Sequence, residues 1–168
     1  MDFYMKLPRN KKEFALFMLV ISLLSVNMIA PLISCFELGF HLSVWRHTLS
    51  VLPFLWLSVI ALVLLTFKPA EWMTKKIVVE TDSFQAQILV NILCSVFLMS
   101  IFLTVIGSWI GSQSISFHPI LTFFSRWPRN FAISFAVELL FAQPLARWVM
   151  LKFHEYLDAK QLIPSTKV

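Results

Sequence analysis

Four apolar runs, Phe14–Phe36, Val51–Phe67, Ile88–Ile110 and Asn130–Leu151, govern what this chain can fold into. Each approaches or exceeds the roughly twenty residues that a helix needs to cross a hydrocarbon layer about 30 Å thick. A soluble chain of 168 residues needs a charged exterior, whereas this one is 58% hydrophobic and only 14% charged. In lipid every backbone N–H and C=O of a spanning segment must be satisfied internally, which favours helices for runs of this length. The expected fold is therefore an all-α integral membrane protein with four transmembrane helices. Its net charge of +5 does not point to nucleic acid, because the Lys and Arg flank the apolar runs instead of forming a basic face. The lipid bilayer is the partner that the composition implies.

The flanking charges predict the orientation. Eleven of the 14 Lys and Arg lie in the head (Met1–Lys12), the connection Lys68–Gln87 and the tail from Arg147 onward. Only Arg46, Arg126 and Arg129 lie on the other side. Positive charge accumulates in cytoplasmic segments, so both termini are expected in the cytoplasm. Trp45, Trp109 and Trp127 would mark the outer boundary and Trp72 and Trp148 the inner one, leaving Trp56 within a span. A basic head before an apolar run also describes a signal peptide, and Leu32-Ile33-Ser34-Cys35 resembles a lipoprotein cleavage box. The run is longer than a signal core and no soluble domain follows it, so a retained span is expected.

A repeat runs through the same pattern. Pro53 and Pro128 are 75 positions apart, as are Pro69 and Pro144, and Leu64-Leu65 matches Leu139-Leu140 at that offset. Phe40-His41 in the loop Glu37–Ser50 matches Phe117-His118 in the loop Ser112–Arg126 at an offset of 77. Each pair of prolines is expected to open and close a span, since proline is tolerated in a first turn and interrupts a helix elsewhere. This spacing predicts two tandem two-helix units, residues 1–78 and 79–168, the second ending in an amphipathic tail. Two spans return the chain to its starting side, so the duplication would be parallel, about a pseudo-twofold axis along the membrane normal. In the tail, Leu145, Trp148, Val149, Phe153, Tyr156 and Leu157 form one helical face opposite Lys152, Glu155, Asp158 and Lys160.

Pro8-Arg9-Asn10-Lys11-Lys12-Glu13 resembles the opening of a bacterial membrane family known as domain of unknown function 2798. Pro128-Arg129-Asn130 into Phe131–Leu140, then Gln143-Pro144-Leu145-Ala146-Arg147, is similar to that family's closing helix. The family unit is a helix pair, so the resemblance covers nearly the whole chain as two tandem copies. The first copy departs at Lys68-Pro69-Ala70-Glu71 and the second at Asp82-Ser83-Phe84-Gln85. The resemblance implies a bacterial inner membrane and four helices, and no activity.

Little in the chain carries chemistry. Glu138 is the one acid deep inside an apolar run, and an ionisable group at such depth faces protein or water and is often functional. Asn130, Ser134, Ala142 and Ala146 recur at steps of four around it, a ridge of small or polar groups suited to close packing. A pathway for protons or substrate would use Glu138 with Ser134 and Asn27, which lies near Pro31 in the first span. The structural alternative is a neutral carboxyl tied to another helix, through Asn27, Thr104 or Ser108. Gly107 and Gly111 have the spacing that permits close helix packing. His41, His47 and His118 lack a metal-ligand spacing, and Cys35 and Cys94 sit at different depths, so neither a metal nor a disulfide is expected. No phosphate loop, nucleophile elbow or Cys-x-x-Cys is present, so no cofactor and no enzyme activity are expected. Two functions fit: a small permease, exporter or channel-forming subunit with Glu138 titrating in its pathway, or a non-catalytic accessory protein. Either is compatible with a homo-oligomer or a membrane-protein partner.

The orientation can be measured directly. A reporter that is active only outside the cytoplasm is expected to be silent after Val168 and active when inserted near Ser114. The reverse pattern would overturn the depth assigned to every residue above.

Overall fold

The structure, a computed structural model, describes residues 8–79 and 81–162, with the side chains of 159–162 excepted. The described residues are helical throughout apart from short connections: α1 (Lys11–Leu38), α2 (Leu42–Ile77), α3 (Phe84–Ser112), a single turn α4 (His118–Leu121), α5 (Phe123–Val137) and α6 (Gln143–Leu162). A π-helical turn, Glu138–Ala142, joins α5 to α6, so that Phe123–Asp158 forms one continuous element. Four elements are long and apolar enough to cross a membrane: α1, α2, α3 and the α5–α6 rod. The protein is thus a multi-pass, all-α membrane protein. Lys6, Glu80 and Lys167, which contribute to the charge pattern, lie outside the described residues.

The helices outgrow the lengths the sequence suggests. The expected loop Glu37–Ser50 shrinks to Gly39–His41, and α2 extends at both ends beyond Val51–Phe67. Gly39 makes this short turn workable, with φ of 96° and its N–H returned to the Cys35 carbonyl at 2.9 Å. At 36 residues, α2 is about 54 Å long, well beyond a hydrocarbon layer of about 30 Å. Apolarity therefore stops where the lipid stops, whereas the helix continues through Arg46, His47 and Lys75 into the polar layers. For the same reason the prolines do not mark helix ends. Pro53 and Pro69 both lie inside α2, and Pro128 lies inside α5, so none of them occupies a first turn.

Packing closes the rods into a ring: α1 on α2, α2 on α3, α3 on α5, and α5–α6 back on α1. Between α3 and α5 an aromatic ladder fills the contact. Phe123, Trp127, Phe131 and Phe135 stack at steps of four with centroids 5.8–6.0 Å apart. Phe97 meets Trp127 and Phe131 edge-on, and the Trp127 indole donates to Ser100 Oγ at 3.0 Å. Val26, Val51, Leu55 and Val59 form the buried cluster between α1 and α2.

The last rod turns one row inward along its whole length. Asn130, Ala142, Ala146, Met150 and His154, all at steps of four, are 3% exposed or less. A row of every fourth residue drifts about 40° around a straight α-helix at each step. The π-helical turn, with Gln143 N–H bonded to the Glu138 carbonyl, inserts one extra residue and takes back roughly two steps of that drift. The wide turn thus keeps a single row turned inward, toward α3 at Asn130 and toward α1 at Ala146 and Met150.

The apolar face of the tail divides between core and surface, with Phe153 packed on the buried cluster. Leu145, Trp148 and Tyr156 point outward, while Ala146, Met150 and His154 are buried. Phe17, Ile21, Ala146 and Met150 make the core between α1 and α6. Truncation there should cost far more than truncation on the outer surface. Met150→Ala is expected to lower stability by about 2–5 kcal/mol, and Leu64→Ala, on the outer face of α2, by less than about 0.5 kcal/mol. Equal shifts in thermal unfolding of the detergent-solubilised protein would show that α6 does not pack on α1 in this way.

Candidate functional site

Three polar contacts join α1 to the last rod, at three depths. At the end where the two described chain ends meet, the Glu13 carboxylate lies 3.0 Å from His154 Nε2, and Arg9 pairs with Asp158 at 3.5 Å. Glu13 is held by its own helix start, because Asn10 caps Glu13 N–H and Glu13 accepts from Arg9 N–H and from the Asn10 amide. At the opposite end Glu37 pairs with Arg129 at 3.1 Å and with Arg126 at 3.8 Å. Midway, the Ser25 hydroxyl donates to one Glu138 carboxylate oxygen, and the Gln143 amide lies 3.4 Å from the other.

The middle contact borders a cavity of about 620 Å³ enclosed by the ring. Exposed Ser114, Ser116 and His118 line it at the Glu37 end, and exposed Asn91 lines it toward the other. It extends past Ser134 to Glu138, Ser25, Ser22 and Gln143. On the α1–α6 side it reaches Ile21, behind which Phe17, Ala146 and Met150 pack. The walls are predominantly apolar, with Val26, Leu55, Val59 and Leu103 among them, and hydroxyls of α3 from Ser95 to Ser112 form a polar strip along one side. Of these, Ser108 donates to the Thr104 carbonyl at 2.9 Å, which places its lone pairs on the helix surface.

The residues anticipated from the sequence separate into two groups. Glu138 and Ser134 face the cavity together, and Asn130, on the same row, is buried with its amide 3.4 Å from Thr104 Oγ1. Asn27 does not join them: it is exposed on the outside of α1, with its amide folded onto the Leu23 carbonyl at 2.7 Å. The expected partners of Glu138, which were Asn27, Thr104 and Ser108, are replaced by Ser25 and Gln143. Serine at position 25 sits two residues before Asn27, about 200° away around the helix. Rotation about the α1 axis, which composition cannot supply, decided between the two.

Gly107 and Gly111 likewise do not mediate close packing. A Cβ on Gly107 would meet only Leu55 at 4.0 Å, and one on Gly111 would meet nothing within 4 Å. Both border the cavity, and the Gly111 carbonyl lies 2.9 Å from His47 Nε2. Their small size leaves room in the cavity instead of bringing helices together. Glu13, Glu37, Ser25 and His154 are the site residues that sequence reasoning missed. The capping pattern Asn10-x-x-Glu13 was a usable signal for Glu13, whereas nothing local marked the others. Cys35 and Cys94 are buried free thiols, and no group of three metal-ligating side chains occurs among the described residues.

Comparison with protein-family models, with curated proteins and with solved structures gives no match to this chain.

The tie between Ser25 and Glu138 sets an expectation for substitutions. Glu138→Gln keeps a hydrogen-bonding group of the same size and is expected to insert and remain stable. Glu138→Ala is expected to lose about 0.6–2 kcal/mol. Asn27→Ala, away from the ring's interior, should leave unfolding unchanged. Should Asn27→Ala destabilise the protein as much as Glu138→Ala, the partner assignment to Glu138 would be wrong.

Proposed function

We propose that this protein is a small membrane permease or channel-forming subunit in which Glu138 exchanges protons or binds a cation along the pathway. The observation that supports this reading is the carboxyl's position on the wall of a 620 Å³ cavity. An interhelical tie would be sealed between packed side chains. Glu138 instead borders open volume, and its π-helical turn is a feature that recurs at functional sites. A carboxyl at membrane depth beside such a volume is the usual mark of an ion or substrate route.

The remaining readings belong to the same proposal. The ring has the order that two tandem helix pairs would give, and the match of His41 at the α2 start with His118 at the α4 start supports a parallel duplication. Glu138 corresponds to Val63 at the 75-residue offset, so the acid and its wide turn are departures of the second copy. The described chain ends meet at one face of the bundle through Arg9 and Asp158, which is consistent with both termini in the cytoplasm of a bacterial inner membrane. The similarity to the domain of unknown function 2798 family is held on its motifs alone. Partners are the bilayer and, for a pathway between subunits, a second copy or another membrane protein.

Reconstitution into liposomes with an internal pH dye tests the central claim. Wild type is expected to carry a proton or solute flux that Glu138→Gln abolishes while remaining inserted and folded. A Gln variant with full flux would reduce Glu138 to a tie between helices. Silence from both proteins would favour the accessory reading over the permease.

A further inference from the structure

We infer that the cavity binds an organic ammonium ion that carries N–H groups, a primary or secondary amine with an apolar body, and that Glu138, Ser25 and Gln143 receive its head. The inference deepens the permease reading and rests on the same cavity.

Around Glu138 the cavity wall is rich in oxygen atoms. The Ser25 hydroxyl spends its hydrogen on Glu138 and keeps its lone pairs. Gln143 turns its amide nitrogen toward the carboxylate, at 3.4 Å, so its carbonyl oxygen remains as an acceptor. Ser134 adds another hydroxyl to the same wall. This part of the wall therefore gathers acceptor oxygens around one carboxyl group. Arg126, the arginine among the lining residues, and the histidines His47 and His118 are at the Glu37 end. Arg126 is there held 3.8 Å from Glu37. The donors around Glu138, the Ser134 hydroxyl and the Gln143 amide, are neutral, whereas a cation finds its counter-charge in the Glu138 carboxyl.

The kind of cation follows from hydrogen-bond accounting. Acceptors that are removed from water and left without a donor are costly. A protonated primary or secondary amine brings two or three N–H groups to divide among the Glu138, Ser25 and Gln143 oxygens. A quaternary ammonium brings charge and no donor, and would desolvate those oxygens without replacing their bonds. A site built to hydrogen-bond its ligand rejects an isostere that lacks the donor more sharply than a site built on shape alone. The predominantly apolar walls suit a hydrocarbon or aromatic body, and the volume of about 620 Å³ is in the range of small-molecule sites.

Equilibrium dialysis against the full-length protein in lipid nanodiscs, with empty nanodiscs subtracted, tests this. The probes are phenethylammonium, phenethyltrimethylammonium and phenylacetate. Phenethylammonium is expected to bind saturably, at least ten-fold tighter than the trimethyl analogue, with no saturable binding of phenylacetate. Glu138→Gln should weaken phenethylammonium at least ten-fold, and Gln143→Leu, a second variant in case the first does not fold, several-fold. Asn27→Ala, on the outer face, should bind as wild type does. Equal binding of the trimethyl analogue or of phenylacetate, unchanged binding by Glu138→Gln, or no saturable binding at all would overturn the inference. The two claims fail separately: Glu138-dependent proton flux without amine binding removes only this one, and amine binding without flux removes only the permease reading.

Discussion

The ring of helices depends on how its first member meets its last. Along that seam α1 touches the α5–α6 rod through Glu13 with His154, Ser25 with Glu138, and Glu37 with Arg129 and Arg126. Lipid tails are as apolar as leucine, so burying hydrocarbon against hydrocarbon supplies little drive for two helices to associate in a bilayer. Polar pairs and close packing supply it instead. The two outer pairs lie at the ends of the helices, where charge is tolerated, and the middle pair is the one that requires protein or water around it. Without these contacts the three remaining interfaces would leave an open sheet of helices, and the cavity would have no fourth wall.

The same seam explains the shape of the last rod. A small, flat row faces α1, with Ala142 and Ala146 fully buried and Met150 and His154 beyond them. Such a row stays on one side of a straight helix for only a few turns. The π-helical turn at Glu138–Ala142 resets it, and in doing so places the acid at the point where the helix is widest. In α2 the same proline spacing, Pro53 to Pro69, is accommodated by continuous α-helix. Proline at position 144 is therefore not a sufficient cause of the wide turn. The acid distinguishes the second rod, since its counterpart Val63 borders the same cavity from α2.

Polar residues thus have three separate uses here. Some tie helices in pairs, as Asn130 with Thr104 and Trp127 with Ser100. Others satisfy their own backbone, as Thr66 on the Leu62 carbonyl and Asn27 on that of Leu23. A third set, with Glu138 at its centre, is bonded yet borders open space. Composition does not separate the three, because a serine or an asparagine has the same hydrogen-bonding groups in each.

Four membrane-length helices were legible in the sequence because hydrocarbon thickness sets a length that apolar runs must match. Glu138 was legible for a related reason, since an acid in such a run is conspicuous against its neighbours. Helix ends were not, because a helix persists beyond the lipid once its residues turn polar, as α2 does at both ends. Nor was the inward face of each helix. In water, apolar residues mark the buried side, but in lipid both sides are apolar, so Leu145, Trp148 and Tyr156 sat outside while Ala146, Met150 and His154 went in. The partner of Glu138 depended on the same rotation, which gave it Ser25 and sent Asn27 to the surface. Sequence determined how many times the chain crosses; packing between helices decided what each crossing turns toward the cavity.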